Sequence, residues 1–243
     1  MARIAATRLS GISPLRLYYR GSVVRDGDGP RERLQAGCEL VGAEGPEADA
    51  EILALAEAAL GALGLSQAAR LSVGTMGYFA ALVESAGAGP RLSHALSDAV
   101  DRKDLPTLRM LCEREVPSGP AREALLALAQ PPRPQPEALA PLARARESAP
   151  TPQAASALAR LEAALAAARG RGLGAEVEVD LGEVRGLGYY TGIVFNLYVA
   201  GAPRAVGGGG RYDTLLGRFG DPRPAVGFSL DLDALVPLSE AAR

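Results

Sequence analysis

The chain has 243 residues, 48% of them hydrophobic and few of them aromatic, which is enough for one substantial core built mainly from Leu, Val and Ala. Its formal charge of -2 provides no global basic field for tRNA or DNA. Cys38, Cys112 and the single His94 form no metal or disulfide pattern, and no run reaches membrane-span length or reads as a signal peptide; the expectation is a cytoplasmic protein with free thiols and no metal or other cofactor.

In chain order, Ala2 to Gly11 reads as a short helix, with Ile4, Ala5, Leu9 and Ile12 about one turn apart. Leu15–Arg25 and Leu34–Val41 read as two strands joined through the Gly-rich segment Asp26–Pro30, hence an antiparallel hairpin. Pro46 opens an Ala/Leu helix with Glu47 and Asp49 in its first turn. From about Met76 to Gly170 the pattern is helical, interrupted by a rigid proline-rich spacer at Pro131–Pro136, and Thr151-Pro152 makes a good helix start. This stretch reads as a helical insertion, residues 76–170, inside a single domain spanning 1–243. Strand alternation returns at Glu176, Glu178 and Asp180. A long strand is expected over Tyr189–Val199, a turn at Gly201-Ala202-Pro203, a last strand over Ala225–Leu230 and a last helix over Leu232–Leu238. Antiparallel strands with helices set apart from them predict an α+β fold.

Three groups of residues have chemical potential. On the strand Leu34–Val41, Gln35, Gly37 and Glu39 share one face, with room between the two polar side chains for a small ligand bearing an amino group. The same pattern also suits a solvated sheet face. Arg185 offers a charged fork for a carboxylate or phosphate, and Tyr189 and Tyr190, on the expected strand, point to opposite faces, so only one can share the pocket directly. Gly207, Gly208, Gly209 and Gly210 allow close backbone approach to a ligand; the run lacks the lysine and hydroxyl of a phosphate-binding loop and also suits a flexible turn before a helix at Tyr212.

With these residues in view, the runs Val184-Arg185-Gly186-Leu187-Gly188-Tyr189-Tyr190 and Gly207-Gly208-Gly209-Gly210-Arg211-Tyr212-Asp213 resemble the catalytic domain of the histidyl-tRNA synthetase family. Arg16-Leu17-Tyr18-Tyr19 through Arg25, and Gln35-Ala36-Gly37-Cys38-Glu39, resemble its motif 2. The resemblance implies a class II synthetase-like antiparallel sheet flanked by helices. It implies a histidine pocket of Gln35, Glu39, Arg185, Tyr189, Tyr190 and the Gly207–Gly209 run, with the ligand ammonium at Glu39. It also implies a vestigial ATP site at Arg25, Arg31 and Ala234, where Ala234 stands in the place of the family's ATP-gripping arginine. The motif 1 segment and the anticodon-binding domain have no counterpart in the 243 residues, so the sequence is expected to begin part-way through the domain.

Within the family, Ala2–Leu9, Lys103-Asp104 and Tyr190–Phe195 resemble the branch of ATP phosphoribosyltransferase regulatory subunits. That resemblance implies a non-catalytic subunit acting in the first step of histidine biosynthesis. Its partners would be a short-form catalytic subunit, histidine as feedback ligand and a further copy of itself. An amino-acid-activating ligase and a stand-alone amino-acid sensor are the alternatives; the ligase would need an arginine where Ala234 stands.

Overall fold

The computed structural model describes residues 1–24, 31–130, 139–184 and 188–241. The spacer expected at Pro131–Pro136 and the loop Asp26–Pro30 lie outside the described residues. Among the described residues, seven strands stand in one sheet: β1 (Leu15–Val24), β2 (Glu32–Val41), β3 (Ala69–Thr75), β4 (Glu176–Val179), β5 (Ile193–Val199), β6 (Gly207–Arg211) and β7 (Ala225–Asp231), in the order β1-β2-β7-β6-β5-β3-β4. The pairs β1–β2, β2–β7 and β6–β7 are antiparallel. The helices are α1 (Ala2–Arg8), α2 (Gly45–Ala62), α3 (Met76–Ser85), α4 (Pro90–Asp101), α5 (Leu105–Glu115), α6 (Pro120–Leu128), α7 (Ala140–Glu147), α8 (Pro152–Gly170) and α9 (Leu232–Ala241). This is the α+β arrangement expected, with α3 to α8 among the described residues of 76–170.

The chain folds as two compact units. One comprises Met1–Leu71, Ala164–Glu176 and Phe195–Arg243; the other comprises Ser72–Ala163 and Val177–Val194. In the first unit, the Ala- and Leu-rich α2 starts at Gly45, with Pro46 in its first turn, and buries Ile52, Leu53, Ala56 and Leu60. Arg223 holds α1 by donating to the carbonyls of Ala5, Leu9 and Ile12.

In the second unit, Thr151 caps α8 as expected, its hydroxyl accepting from the Ala154 amide at 3.1 Å. Lys103, at φ 52°, donates to the Leu128 carbonyl and pairs with Asp180 at 2.8 Å, while Asp104 caps α5 through the Thr107 amide. Gly182 is required beside that pair, since a Cβ there would lie 2.0 Å from the Leu128 carbonyl oxygen.

Three expectations need correction. The strand read over Tyr189–Val199 starts only at Ile193. Gly188 takes φ 62°, and the Gly192 carbonyl accepts from the Met76 amide at the start of α3 instead of extending the ladder. The glycines at 207–210 form the strand β6, not a loop, and no helix starts at Tyr212; a short 3-10 turn follows at Leu216–Phe219. The sheet is packed so closely at β6 that a Cβ on Gly209 would fall 2.0 Å from the Gly227 carbonyl oxygen. Finally, β3 had no counterpart in the sequence reading. It is short and buried from Leu71 to Thr75, so it lacks the alternation that marks a half-buried strand.

The crowding at β6 gives a direct test. Gly209→Ala should destabilise the protein at the upper end of about 1–3 kcal/mol, because the obstacle is backbone and cannot rotate away. Urea denaturation should show a lowered midpoint at unchanged slope.

Candidate functional site

Successive strand residues point to opposite faces, so the registers of β1, β2, β7 and β6 define what shares a surface. Glu39 pairs with Leu17 and Gly227, and Gly227 with Gly210. Gly37 pairs with Tyr19 and Ser229, and Ser229 with Gly208. Gln35 pairs with Asp231. One face therefore carries Tyr19, Gln35, Glu39, Ser229 and Asp231 around a floor of Gly37, Gly208, Gly210 and Gly227.

The glycines make room for the side chains of their neighbours. The Tyr19 ring lies across Gly37, where a Cβ would come within 2.7 Å of it. The Glu39 carboxylate reaches over Gly227, where a Cβ would fall 1.7 Å from Oε2. Tyr19 accepts a hydrogen bond from Gln35 Nε2 at 2.5 Å, and the Tyr212 hydroxyl donates to Glu39 Oε2. Burial pushes the Glu39 carboxyl up from its ordinary 4.5 to about 7, against the opposing pull of the Tyr212 hydrogen bond. A carboxylate so placed loses its proton most readily when a cationic or proton-bearing ligand nitrogen arrives.

Tyr212 is buried and reaches this face because the residue before it is anchored on the other. Arg211, 1% exposed, pairs with the equally buried Asp49 of α2 at 2.6 Å and with Asp213 at 2.9 Å. It also donates to the carbonyls of Ala43 and Gly45, so the start of α2 is tied to the end of β6. Asp213 Oδ1 accepts from the Ala225 amide, and the Tyr212 amide donates to the Ala225 carbonyl. The tyrosine is thereby fixed from both sides.

The predicted pocket residues fare differently. Gln35 and Glu39 share a face as the period-2 argument required, and Gly208 shares it, whereas Gly207 and Gly209 alternate to the opposite side. Tyr189 and Tyr190 belong to the second unit, where their rings touch with centroids 4.4 Å apart. Neither lies in a strand, so the assignment of the two rings to opposite strand faces does not apply. Arg185 and Arg25 lie outside the described residues. Arg31 is exposed just before β2.

Ala234 sits in the first turn of α9, its amide donating to Asp231 Oδ1 at 3.2 Å. The other oxygen of Asp231 lies 3.5 Å from both Arg33 and Arg204. An acidic side chain thus caps the first turn of α9. Tyr19, Tyr212 and Arg33 were not assigned to the site from the sequence. The hairpin register opposes Tyr19 to Gly37, and alternation from Gly210 leads to Tyr212; those two signals would have found both tyrosines. Among the described residues, no group of His, Cys, Asp and Glu has the geometry to hold a metal ion, and no helix is long and apolar enough to cross a membrane.

With the geometry in hand, comparison with known proteins is decisive about kinship. The family profile described as histidyl-tRNA synthetase matches residues 1–235. The chain belongs to the histidyl-tRNA synthetase family. Similar curated members of the family are ATP phosphoribosyltransferase regulatory subunits. That of Anaeromyxobacter sp. (strain Fw109-5) is 46% identical over 93% of this chain and 65% of its own length, and that of Symbiobacterium thermophilum is 40% identical over 99% and 60%. The chain therefore spans a little under two thirds of these relatives.

A solved structure described as an ATP phosphoribosyltransferase regulatory subunit/histidyl-tRNA synthetase from Bacillus halodurans C superposes with a TM-score of 0.83 at 30% identity, covering 100% of this chain and 62% of that one. The ATP phosphoribosyl transferase (HisG:HisZ) complex from Thermotoga maritima superposes at 0.67 with 19% identity over 93% of this chain and 76% of that one, a likeness of fold. Both support the class II synthetase-like α+β architecture.

Proposed function

We propose that this chain acts within a regulatory, non-catalytic subunit of ATP phosphoribosyltransferase. It binds a short-form catalytic subunit and histidine, and so controls the first step of histidine biosynthesis in the cytoplasm. One observation supports the reading most strongly. The face that carries Glu39, Tyr212, Gln35 and Tyr19 has a floor of glycines, and Ala234, which the family resemblance puts in the place of an ATP-gripping arginine, has no charge to offer a phosphate. A family member with such a face and no such grip is suited to sensing an amino acid and not to activating it. The names of the similar regulatory subunits point the same way. Self-association and the histidine pocket, including Arg185, Tyr189 and Tyr190, belong to the same proposal.

Control of this kind requires a coupling free energy of about 1–3 kcal/mol between two binding events, equivalent to roughly 5–150-fold in rate or affinity if fully expressed. A stable subunit contact needs on the order of 1,200 Å². The test is to mix the protein with a short-form catalytic subunit and measure phosphoribosyl-ATP formation with and without histidine. The expected result is a rate several-fold above that of the catalytic subunit alone, reduced again by histidine. Equal rates with and without the chain, at saturating concentrations, would reject the regulatory reading.

A further inference from the structure

Asn196 of β5 is 2% exposed, and its Oδ1 is buried with no hydrogen-bond partner among the described residues. Buried polar atoms are nearly always paired, so an orphan of this kind calls for a partner from elsewhere. Its position is informative. A Cβ on Gly208 would meet Asn196 Oδ1 at 3.0 Å, so the carboxamide lies on the side to which Gly208 would point a side chain. Gly208 pairs with Ser229, which pairs with Gly37, and these share the face of Gln35 and Glu39. Two polar tips thus hang over the glycine floor: the Glu39 carboxylate over Gly227 and the Asn196 carboxamide beside Gly208. Gly227 pairs with Gly210, so Gly208 and Gly227 are diagonal neighbours, roughly 7–8 Å apart.

We propose that Asn196 contacts the ligand of this face and decides which side chain it accepts; the inference rests on the reading of the face as an amino-acid site. Glu39 takes a proton-bearing nitrogen at one end of the ligand. Asn196 meets the other end with a neutral group that offers both an acceptor and a donor, whichever way the amide is turned. A ligand that bridges the two is an amino acid whose side chain has its own hydrogen-bonding nitrogen, and a neutral imidazole, with one N–H and one acceptor nitrogen, fits. An aliphatic side chain would leave the carboxamide orphaned. A lysine or arginine side chain would bring a second charge to a face whose other carboxylate, Asp231, is already paired with Arg33 and Arg204.

The experiment is calorimetric titration of the twenty amino acids into the wild-type protein and into Asn196→Leu, which keeps the branched shape and removes the orphan. The expected result is histidine binding by the wild type, weakened about tenfold or more in Asn196→Leu with no loss of thermal stability. The same histidine affinity in both proteins would overturn the assignment. Binding of some other amino acid that Asn196→Leu loses would sustain the role of Asn196 while rejecting histidine as the ligand. Binding of none by the wild type would reject both readings. Should Asn196→Leu fail to fold, the side-chain NH₂ resonances of Asn196 in the wild type serve instead. They should shift on histidine addition beyond the changes seen at exposed asparagine and glutamine amides, and an unchanged pair would overturn the proposal.

Discussion

Glu39→Gln should bind histidine at least tenfold more weakly and yet be more stable than the wild type at pH 8. The binding loss follows from removing the carboxylate that reaches over the glycine floor, since hydrogen bonds to charged groups contribute roughly 1.5–3 kcal/mol. The gain in stability follows from the sign of the shift. In the folded chain the Glu39 carboxyl holds its proton up to about pH 7, against its ordinary 4.5. The unfolded chain gives that proton up earlier, so Glu39 makes folding less favourable as pH rises from about 4.5 to about 7. Its contribution is fully present below 4.5 and lost above 7. The neutral amide of glutamine escapes this loss while still accepting the Tyr212 hydroxyl, for a gain on the order of 1–3 kcal/mol at pH 8. Urea denaturation at pH 5 and pH 8 should show the two proteins converging at the lower pH. In the wild type, histidine affinity should fall below pH 7 and level off above it, with proton release on binding near neutrality. The proton count comes from titrations in buffers of different ionisation enthalpy. A flat affinity profile between pH 6 and pH 8, or unchanged affinity in Glu39→Gln, would refute the role given to Glu39.

The second large effect concerns the other side of the same sheet. Asp49→Ala should cost about 3–5 kcal/mol, because it strands the buried Arg211 guanidinium without its closest partner. Asp213 and two backbone carbonyls remain to Arg211, which places the expected value toward the lower end of that range. By contrast, Arg16→Ala should leave stability nearly unchanged, although Arg16 makes an equally short pair with Glu51, because its side chain is 60% exposed and solvent screens the pair. Urea denaturation of the two variants separates the cases. Asp49→Ala should also weaken histidine binding without touching the ligand, since Arg211 holds the strand end from which Tyr212 projects.

What the sequence carried was the part governed by local rules. The period of two placed Gln35, Gly37 and Glu39 on one face, and the register of β2 with β7 agrees. Thr151-Pro152 marked the start of α8 because a cap and a proline act within one turn. What it did not carry depends on neighbours distant in the chain. Four consecutive glycines look like a loop until their neighbours are placed beside them, with the backbone of β7 crowding Gly207 and Gly209 and that of β5 crowding Gly208. The burial of β3 on both faces erased the alternation that identified β4. Tyr212 reads as the start of a helix until its hydroxyl is seen on Glu39, 173 residues away in sequence. The same holds for Asn196, an apparently ordinary polar residue in an apolar strand, whose missing partner becomes visible only in three dimensions.

The adjacency of Arg211 and Tyr212 constrains which length changes this protein tolerates. A strand sends successive side chains to opposite faces, so a single inserted or deleted residue within β6 would exchange their sides. The guanidinium would then stand over the glycine floor and the phenol against Asp49. Stability and recognition would be lost together, in one step. Substitutions at either residue can be compensated separately, but a one-codon frame-preserving indel cannot. Among descendants of this gene, length variation should therefore accumulate in the turn at residues 200–206 and after Asp213, and stop at the edges of β6.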